Sequence, residues 1–452
     1  MNAISTIIDE LASTSKRNEK IAILERNKNN TLLQRVLFYA LDPSITFGIE
    51  KIPDYNTVVG GLFDRPALSL NYSLDKLDAF VNREVTGNAA IERLSSILSE
   101  VTKEDADVLV KIIERDLRCG VGASTVNKVW PELIYVHPYC RCSSLNEKTL
   151  AQIKYPAFSQ VKMDGMYIDI IVNAGTVTYM SRNGHVLELN SDLYDPYFLK
   201  YFEGNVLQGE LTVVDNQGDT LLREESNGLI NSDDIPFADL RFTLWDMIDF
   251  NEFQQKKSTE TYEERFSDLE DIIYGAFDHG DIPLQVNVVP TEIVQNFSEA
   301  VDHFKECIGG GLEGTILKSN DMIWANTTSK KAIKMKVIFD IEMQIVAFNE
   351  GSGKDKGKLG SFTCQTSDGK IEVGVGTGLK DVERQQFWDE QNELMGAIIT
   401  VRSNGIMDKY EDKPASLFLP RFVEIRYDKT EADDMPRVQE QYDAAVKSMD
   451  LI

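Results

Sequence analysis

Gln160-Val161-Lys162-Met163-Asp164-Gly165, continued by Tyr167-Ile168-Asp169-Ile170-Ile171-Val172, Asn173-Ala174-Gly175 and Thr176-Val177-Thr178-Tyr179-Met180, is the stretch whose reading decides the fold. Two apolar, β-branched runs around a short glycine-containing turn predict a β-hairpin. Lys162 stands just before it, where a rigid sheet can hold its amine in place. Further short strands are expected at Val206-Leu207, Leu211–Val214, Arg241–Trp245 and Thr315–Leu317, with helical stretches at Tyr262–Tyr274 and Phe297–Ile308 between them. That mixture predicts a central α+β domain with largely antiparallel sheets.

On the N-terminal side the period changes. Ile4, Ile7, Ile8 and Leu11 recur at helical spacing, as do Leu94, Ile97 and Leu98. Asp105–Leu117 places Val108, Leu109, Ile112, Ile113 and Leu117 on one face, with Asp105 as N-cap. Gly120-Val121-Gly122 ends that helix, and Pro131 and Pro138 mark a connector. Beyond Asp340, strands are expected at Ile341–Phe348, Ser361–Thr366, Lys370–Val375 and Ala397–Ser403, with a helix at Asp381–Leu394. Short strands plus one helix suit a small, partly open OB-fold β-barrel. The chain is therefore multidomain, with an all-α part at 1–132, an α+β part at 133–339 and a barrel at 340–452.

At 452 residues and 42% hydrophobic, the chain can build two or three ordinary cores. A net charge of -26 argues against nucleic acid as a partner of the whole surface, so a binding face must be local. Five cysteines without a CxxC pair fit reduced thiols, and four scattered histidines give no zinc pattern. There is no basic segment before an apolar run at the N-terminus, and no stretch of membrane-spanning length. A soluble, intracellular protein is expected.

Lys-x-Asp-Gly alone arises by chance in roughly one chain of this length in ten at ordinary residue usage. Order and context add to it. Glu210 follows Leu207-Gln208-Gly209, Glu313 lies in Gly311-Leu312-Glu313-Gly314, and the run from Ser329 to Lys336 has no acid. A lysine amine attacks only when neutral. Bringing its pKa from about 10.4 to roughly 7–8 requires about 4 kcal/mol, which nearby cations such as Lys334, Lys336 and a divalent metal can supply. Glu210 and Glu313 are hard-oxygen candidates for that metal. Considered singly, each has a bland alternative: the glutamates could pair with surface lysines, Lys330 to Lys336 could protect a sheet edge, and Trp245 could be core. Together they predict a nucleotidyltransferase centre in which Lys162 takes a nucleotide onto its own amine.

Taken in order, these motifs resemble those of the covalent nucleotidyltransferase superfamily, most closely the ATP-dependent DNA ligases of T-even-like bacteriophages. The likeness runs over almost the whole chain, including Thr86-Gly87-Asn88-Ala89-Ala90-Ile91-Glu92 and Asn127-Lys128-Val129-Trp130-Pro131, which lie outside the catalytic motifs. It implies that Lys162 becomes adenylylated, with Asp164 and Gly165 completing its motif. Arg182 would bind near the ribose, Glu210 would contact sugar and metal, and Trp245 would stack on adenine. Glu313 would be the second metal-associated acid, and Lys334 and Lys336 would bind phosphate with Lys330 assisting. Arg426-Tyr427-Asp428-Lys429 matches a C-terminal Arg-x-Asp-Lys motif whose Arg426 and Lys429 would orient pyrophosphate. The implied cofactors are ATP and Mg2+, and the implied partner is nicked double-stranded DNA. A monomer without a membrane anchor is expected, in the cytoplasm of a bacterial host, serving DNA replication, repair and recombination.

The resemblance also implies three domains: a helical DNA-binding domain, an adenylylation domain and an OB-fold. A local DNA face would use Arg115, Arg118 and Lys128, with Lys354, Lys356 and Lys358 of the barrel loop. RNA ligases and capping enzymes share the lysine motif, but the preceding helical part weighs against both. A cysteine-rich zinc module expected of NAD-dependent ligases is missing. A non-catalytic OB-fold nucleic-acid-binding protein is the alternative of a different class. One departure stands out: the family usually has arginine five residues after the reactive lysine, and this chain has Tyr167. A neutral phenol cannot replace a bidentate guanidinium, so Tyr167 is expected to keep a contact by hydrogen bonding alone.

Overall fold

The computed structural model describes residues 3–58, 66–189, 192–215, 217, 218, 220, 221, 223–230, 240–280, 283, 285–407 and 414–449. Two compact units emerge. The first comprises Met1–Pro138, Ile168–Ile171 and Val177–Asn190, and the second comprises Tyr139–Tyr167, Val172–Thr176 and Ser191–Ile452.

The first unit is built on helices α1 (Ile4–Ala12), α2 (Arg17–Arg26), α3 (Thr31–Leu41), α4 (Leu70–Val81), α5 (Gly87–Ser99), α6 (Lys103–Ile113) and α7 (Ala123–Val126). Ile4, Ile7, Ile8 and Leu11 of α1 are buried together, as their spacing predicts. In α6 the cap is Thr102, whose hydroxyl accepts the Asp105 amide at 3.2 Å, so Asp105 sits in the first turn. The same helix stops at Ile113, because Arg115 turns left-handed at φ 60°; Leu117 stays in the core from outside the helix. Arg115 is also not a free surface cation. Its guanidinium donates to the carbonyls of Tyr39 (2.9 Å) and Asp42 (2.6 Å) and closes the end of α3. Arg118 pairs with Glu114 at 2.5 Å, whereas Lys128 is exposed.

The strands follow in chain order: β1 (Arg141–Ser144), β2 (Ala157–Val161), β3 (Met166–Asn173), β4 (Thr176–Ser181), β5 (Val186–Leu187), β6 (Asn205–Val213), β7 (Leu240–Asp249), β8 (Lys257–Thr261), β9 (Val286–Val288) and β10 (Thr291–Val294). After them come β11 (Thr315–Ser319), β12 (Ile323–Ala325), β13 (Thr328–Met335), β14 (Phe339–Glu350), β15 (Leu359–Gln365), β16 (Glu372–Val375), β17 (Ile398–Ser403), β18 (Gly405–Met407), β19 (Ser416–Phe418) and β20 (Arg421–Ile425). The predicted hairpin is present as β3 and β4. Its turn places Ala174 (φ 53°) and Gly175 (φ 73°) both in the left-handed region, the geometry that matches strand twist.

In the second unit, one sheet runs β1-β13-β11-β2-β10 and a second runs β16-β15-β14-β17-β20. Pairing is mostly antiparallel, with β1·β13 and β7·β9 parallel. The two segments expected at Val206-Leu207 and Leu211–Val214 are one strand, β6, continuous through Gly209. The helix expected at Asp381–Leu394 breaks at Glu390 into Asp381–Asp389 and Gln391–Leu394. Strand β20 and the C-terminal helix Met435–Ser448 were not foreseen. Only Phe422 of β20 is buried, so that strand has no apolar period to read, whereas the helix sets Met435, Tyr442, Ala445 and Val446 at helical spacing around the buried Val438, a period the sequence did carry. A single apolar core runs from Leu317, Ile333 and Met335 to Ile341, Phe362 and Phe422.

Candidate active site

Strand β2 ends at Val161, and the Lys162 amide donates to the Gly314 carbonyl at 2.9 Å. Thr315 of β11 lies opposite Val161 on one side and Met335 of β13 on the other, so three strands end at one level. That register brings Lys162 and Glu313 together, and their side chains form an ion pair. Gly314 has φ 137°, and a Cβ there would overlap the Met335 carbonyl oxygen, so only glycine permits this approach. Lys334 and Lys336 are half-buried, alternating with buried Ile333, Met335 and Val337, as expected. Burial pushes the Lys336 ammonium below the ordinary lysine range; Glu313 opposes the shift, and Lys162 and Lys334 add to it. Four charged side chains therefore share one electrostatic neighbourhood.

The turn after Lys162 is pinned to β6. The Gly165 amide donates to Glu210 Oε1 at 2.9 Å. A Cβ on Gly165 would lie 2.6 Å from Thr212 Cγ2 and 2.7 Å from the Leu211 carbonyl, which is why this turn needs glycine. Asp164 lies in the same turn.

Trp245 owes its direction to a β-bulge. Gln208 pairs with Asp246 and Gly209 with Leu244, leaving Trp245 as the extra residue of β7. Bulges of this kind re-aim a side chain. The carbonyl of Trp245 accepts the Tyr262 hydroxyl at 2.7 Å, and the half-buried indole lies 5.8 Å from the Tyr167 ring. Tyr167 also meets Tyr139 edge-on at 4.9 Å, and its hydroxyl accepts from Gln208 Nε2 at 2.6 Å. Its hydrogen-bonding group is thus turned towards β6.

Sequence reasoning missed Lys318. This buried lysine donates to the Tyr262 hydroxyl at 3.0 Å and lies 6.0 Å from the Trp245 ring centroid. A lone cation in Thr315-Ile316-Leu317-Lys318-Ser319, just after Glu313-Gly314, was the available signal. Burial brings its pKa down to about 8, against the opposing pull of Asp246 and the Cys142 and Cys140 thiols. The folded chain then binds fewer protons here than the unfolded chain between about pH 8 and 10.5, so stability rises with pH across that window. Lys318→Met is expected to melt above the parent chain near pH 7, with the gap narrowing towards pH 10. A gap independent of pH would contradict this.

The other expected site residues have varied surroundings. Lys330 is exposed and four residues up β13 from Lys334, about 13 Å along the strand, so it does not join the cluster. Its neighbour Lys331 pairs instead with Asp321 at 2.8 Å. Arg182 is exposed in the first unit. Arg426 makes a forked pair with Asp428 (2.9 and 2.7 Å) and reaches Glu342 at 2.5 Å, with Lys429 3.6 Å from the same carboxylate. In the barrel loop, Lys356 is exposed and Lys358 half-buried; the Lys354 side chain lies outside the described set.

Among the described residues, no cluster of three or more His, Cys, Asp or Glu side chains forms a ready-made metal cage. Two carboxylates, Glu313 paired with Lys162 and Glu210 bonded to the turn that follows it, suit a hard cation that takes its remaining ligands from phosphate and water. No helix among the described residues is long and apolar enough to cross a membrane.

Residues 140–367 match a family model described as ATP dependent DNA ligase domain, and residues 350–426 match one described as DNA ligase OB-like domain. The chain is 31% identical to the DNA ligase of Enterobacteria phage T4 over 95% of its own length and 97% of that protein. It has the same identity and coverage with the DNA ligase of Enterobacteria phage T6. Among solved structures, the one named Pmar-Lig_PreS3 superposes with a TM-score of 0.73 at 22% identity, covering 94% of this chain and all of that one, a likeness of fold.

Proposed function

The chain belongs to the ATP-dependent DNA ligases, and from that premise we propose that Lys162 is the residue that carries AMP. The protein is a DNA-joining enzyme that uses ATP, built from a nucleotidyltransferase domain and an OB-like domain. The observation that supports Lys162 is its pairing with Glu313 beside Lys334 and Lys336, with the following turn held by Glu210.

In this reading the neutral Lys162 amine attacks the α-phosphate of ATP, and the bond to the β-phosphate oxygen breaks as pyrophosphate leaves. AMP passes to the 5′-phosphate of a nick, and the 3′-hydroxyl then displaces it and closes the strand. Lys334 and Lys336 offset the charge that develops on the phosphate. Glu313 holds the amine in line. Glu210 and Glu313 would hold Mg2+, which when bound supplies Lewis-acid charge at the phosphate. Arg182 serves the ribose, and Arg426 and Lys429 the pyrophosphate, with Asp428 and Glu342 holding those two cations until it binds.

The proposed domains are a helical DNA-binding domain at 1–132, an adenylylation domain at 133–339 and an OB-fold at 340–452. The substrate is nicked duplex, the enzyme works as a monomer, and its compartment is the host cytoplasm. Lys128, Lys356 and Lys358 are the proposed phosphate contacts of a DNA face on an otherwise acidic chain. Binding to nicked duplex should weaken linearly on a log–log plot against salt, by roughly 0.9 in slope for each phosphate contact. Affinity independent of salt would refute the DNA face. The test of the function itself is ATP labelled in the α-phosphate, followed by mass spectrometry. An AMP adduct at Lys162 supports it, and an adduct elsewhere overturns it.

A further inference from the structure

Tyr167 holds the place where the related ligases carry arginine, and its surroundings are not those of a phosphate ligand. Its hydroxyl accepts from Gln208 Nε2 at 2.6 Å, and Gln208 Oε1 in turn accepts from Trp324 Nε1 at 2.9 Å. Trp324 is buried and stacked 5.2 Å from Phe253. A chain of hydrogen bonds rooted in the core therefore sets the tyrosine ring. Around that ring stand Tyr139, edge-on at 4.9 Å, and the bulged Trp245, tilted at 5.8 Å. All three rings are half-buried, and the Lys318 ammonium lies 6.0 Å from the Trp245 centroid.

We propose that Tyr167 is a specificity-determining residue of the ATP site, where its ring forms, with Tyr139 and Trp245, the wall against which the nucleoside packs, and that it does not read the phosphates or the DNA end. The chemistry of the two ends differs. Flat, polarisable surfaces with one buried cation suit a purine, which offers two apolar faces and ring-nitrogen acceptors. A phosphate requires N–H donors and positive charge, and these collect at Lys162, Lys334 and Lys336. Strand β6 joins the two ends: Glu210 meets the Lys162 turn, and Gln208, on the same face two residues back, meets Tyr167. Two residues of strand span about 7 Å, a separation that a nucleoside monophosphate bridges. Arginine at position 167 would place a guanidinium between the Tyr139 and Trp245 rings, with Gln208 presenting an amide donor to it.

This rests on the reading of Lys162 as the AMP carrier and Trp245 as the base platform, so Trp245→Ala is the control. The full chain is assayed for labelling by α-phosphate-labelled ATP over a range of ATP concentrations, and separately for binding of nicked duplex without ATP. Tyr167→Ala is expected to raise KM for ATP about tenfold, the effect of losing one aromatic contact to a base, with the maximal labelling rate and nick affinity little altered. Tyr167→Phe, which keeps the ring and loses its prop, should recover most of that loss, and Tyr167→Arg should not. An unchanged KM in Tyr167→Ala, or a loss that appears in nick affinity instead, overturns the proposal. If Trp245→Ala also leaves KM unchanged, the base-platform reading falls with it; if Trp245→Ala alone raises KM, only the role of Tyr167 falls.

Discussion

Lys162→Ala should leave no AMP on the protein after incubation with ATP and magnesium, a loss on the order of 10^4-fold or more, as befits removal of a covalent nucleophile. The fold should survive. The Lys162 side chain is 21% exposed and its ion pair is with Glu313, which still has Lys336 within electrostatic reach. The Glu313 side chain is only 5% exposed, so losing its partner costs more than a surface pair would, but Lys336 remains to offset its charge, and the melting temperature should fall without loss of the fold. A more discriminating measurement uses a nick that already carries AMP on its 5′-phosphate. The amine is needed only to load the nucleotide, so the variant should still close such a nick. Loss of both activities, with the fold intact, would mean that Lys162 acts in DNA binding or phosphate positioning and is not the nucleophile.

Asp246→Ala is expected to be the most damaging change to stability. Asp246 and Arg265 form a forked pair at 2.7 and 3.0 Å, with side-chain exposures of 3% and 0%. Arg265 Nη1 also donates to the Glu260 carbonyl at 2.6 Å, so the guanidinium is held in place and cannot swing out to water. Removing one partner of such a pair leaves a buried charge uncompensated, which costs about 3–5 kcal/mol. Against a typical total of about 5–15 kcal/mol, that is a large fraction. Asp246 also follows Trp245 directly and pairs with Gln208 across the bulge, so the Trp245 indole and the Tyr167 prop should loosen with it. Replacing both partners, in Asp246→Leu with Arg265→Met, should recover most of the stability, because no charge is then stranded. A urea midpoint for Asp246→Ala within error of the parent chain would show that the pair is not what holds this region.

The readable parts of the site were those whose signal is local. Lys162 announces itself through the Asp-Gly turn that follows it, and the alternation of Lys334 and Lys336 with Ile333, Met335 and Val337 is visible in five consecutive residues. Glu210 and Glu313 were picked out by their glycines, and both meet the Lys162 segment in the structure. Lys330 and Arg115 show the opposite case. A basic residue near a basic motif reads as a ligand, yet Lys330 stands in solvent and Arg115 is committed to the carbonyls of Tyr39 and Asp42. Neither fate has a local signature, since each depends on what the remote chain places nearby.

Helical and strand periods, the Lys-x-Asp-Gly turn and the order of the acidic and basic motifs were properties of neighbouring residues, so the chain's own sequence was enough to indicate a helical part, a mixed α and β part and a small β part, and to single out Lys162. What only the tertiary structure decided is which distant groups that lysine and its companions meet. Lys162 and Glu313 are 151 residues apart and touch because β2, β11 and β13 end in register. Trp245 turns outwards because β7 holds one residue more than β6 opposite it, and Tyr167 faces Gln208 and two aromatic rings because those strands lie side by side. Period and spacing act over a few residues, whereas register, bulges and burial are set by pairing across the sheet.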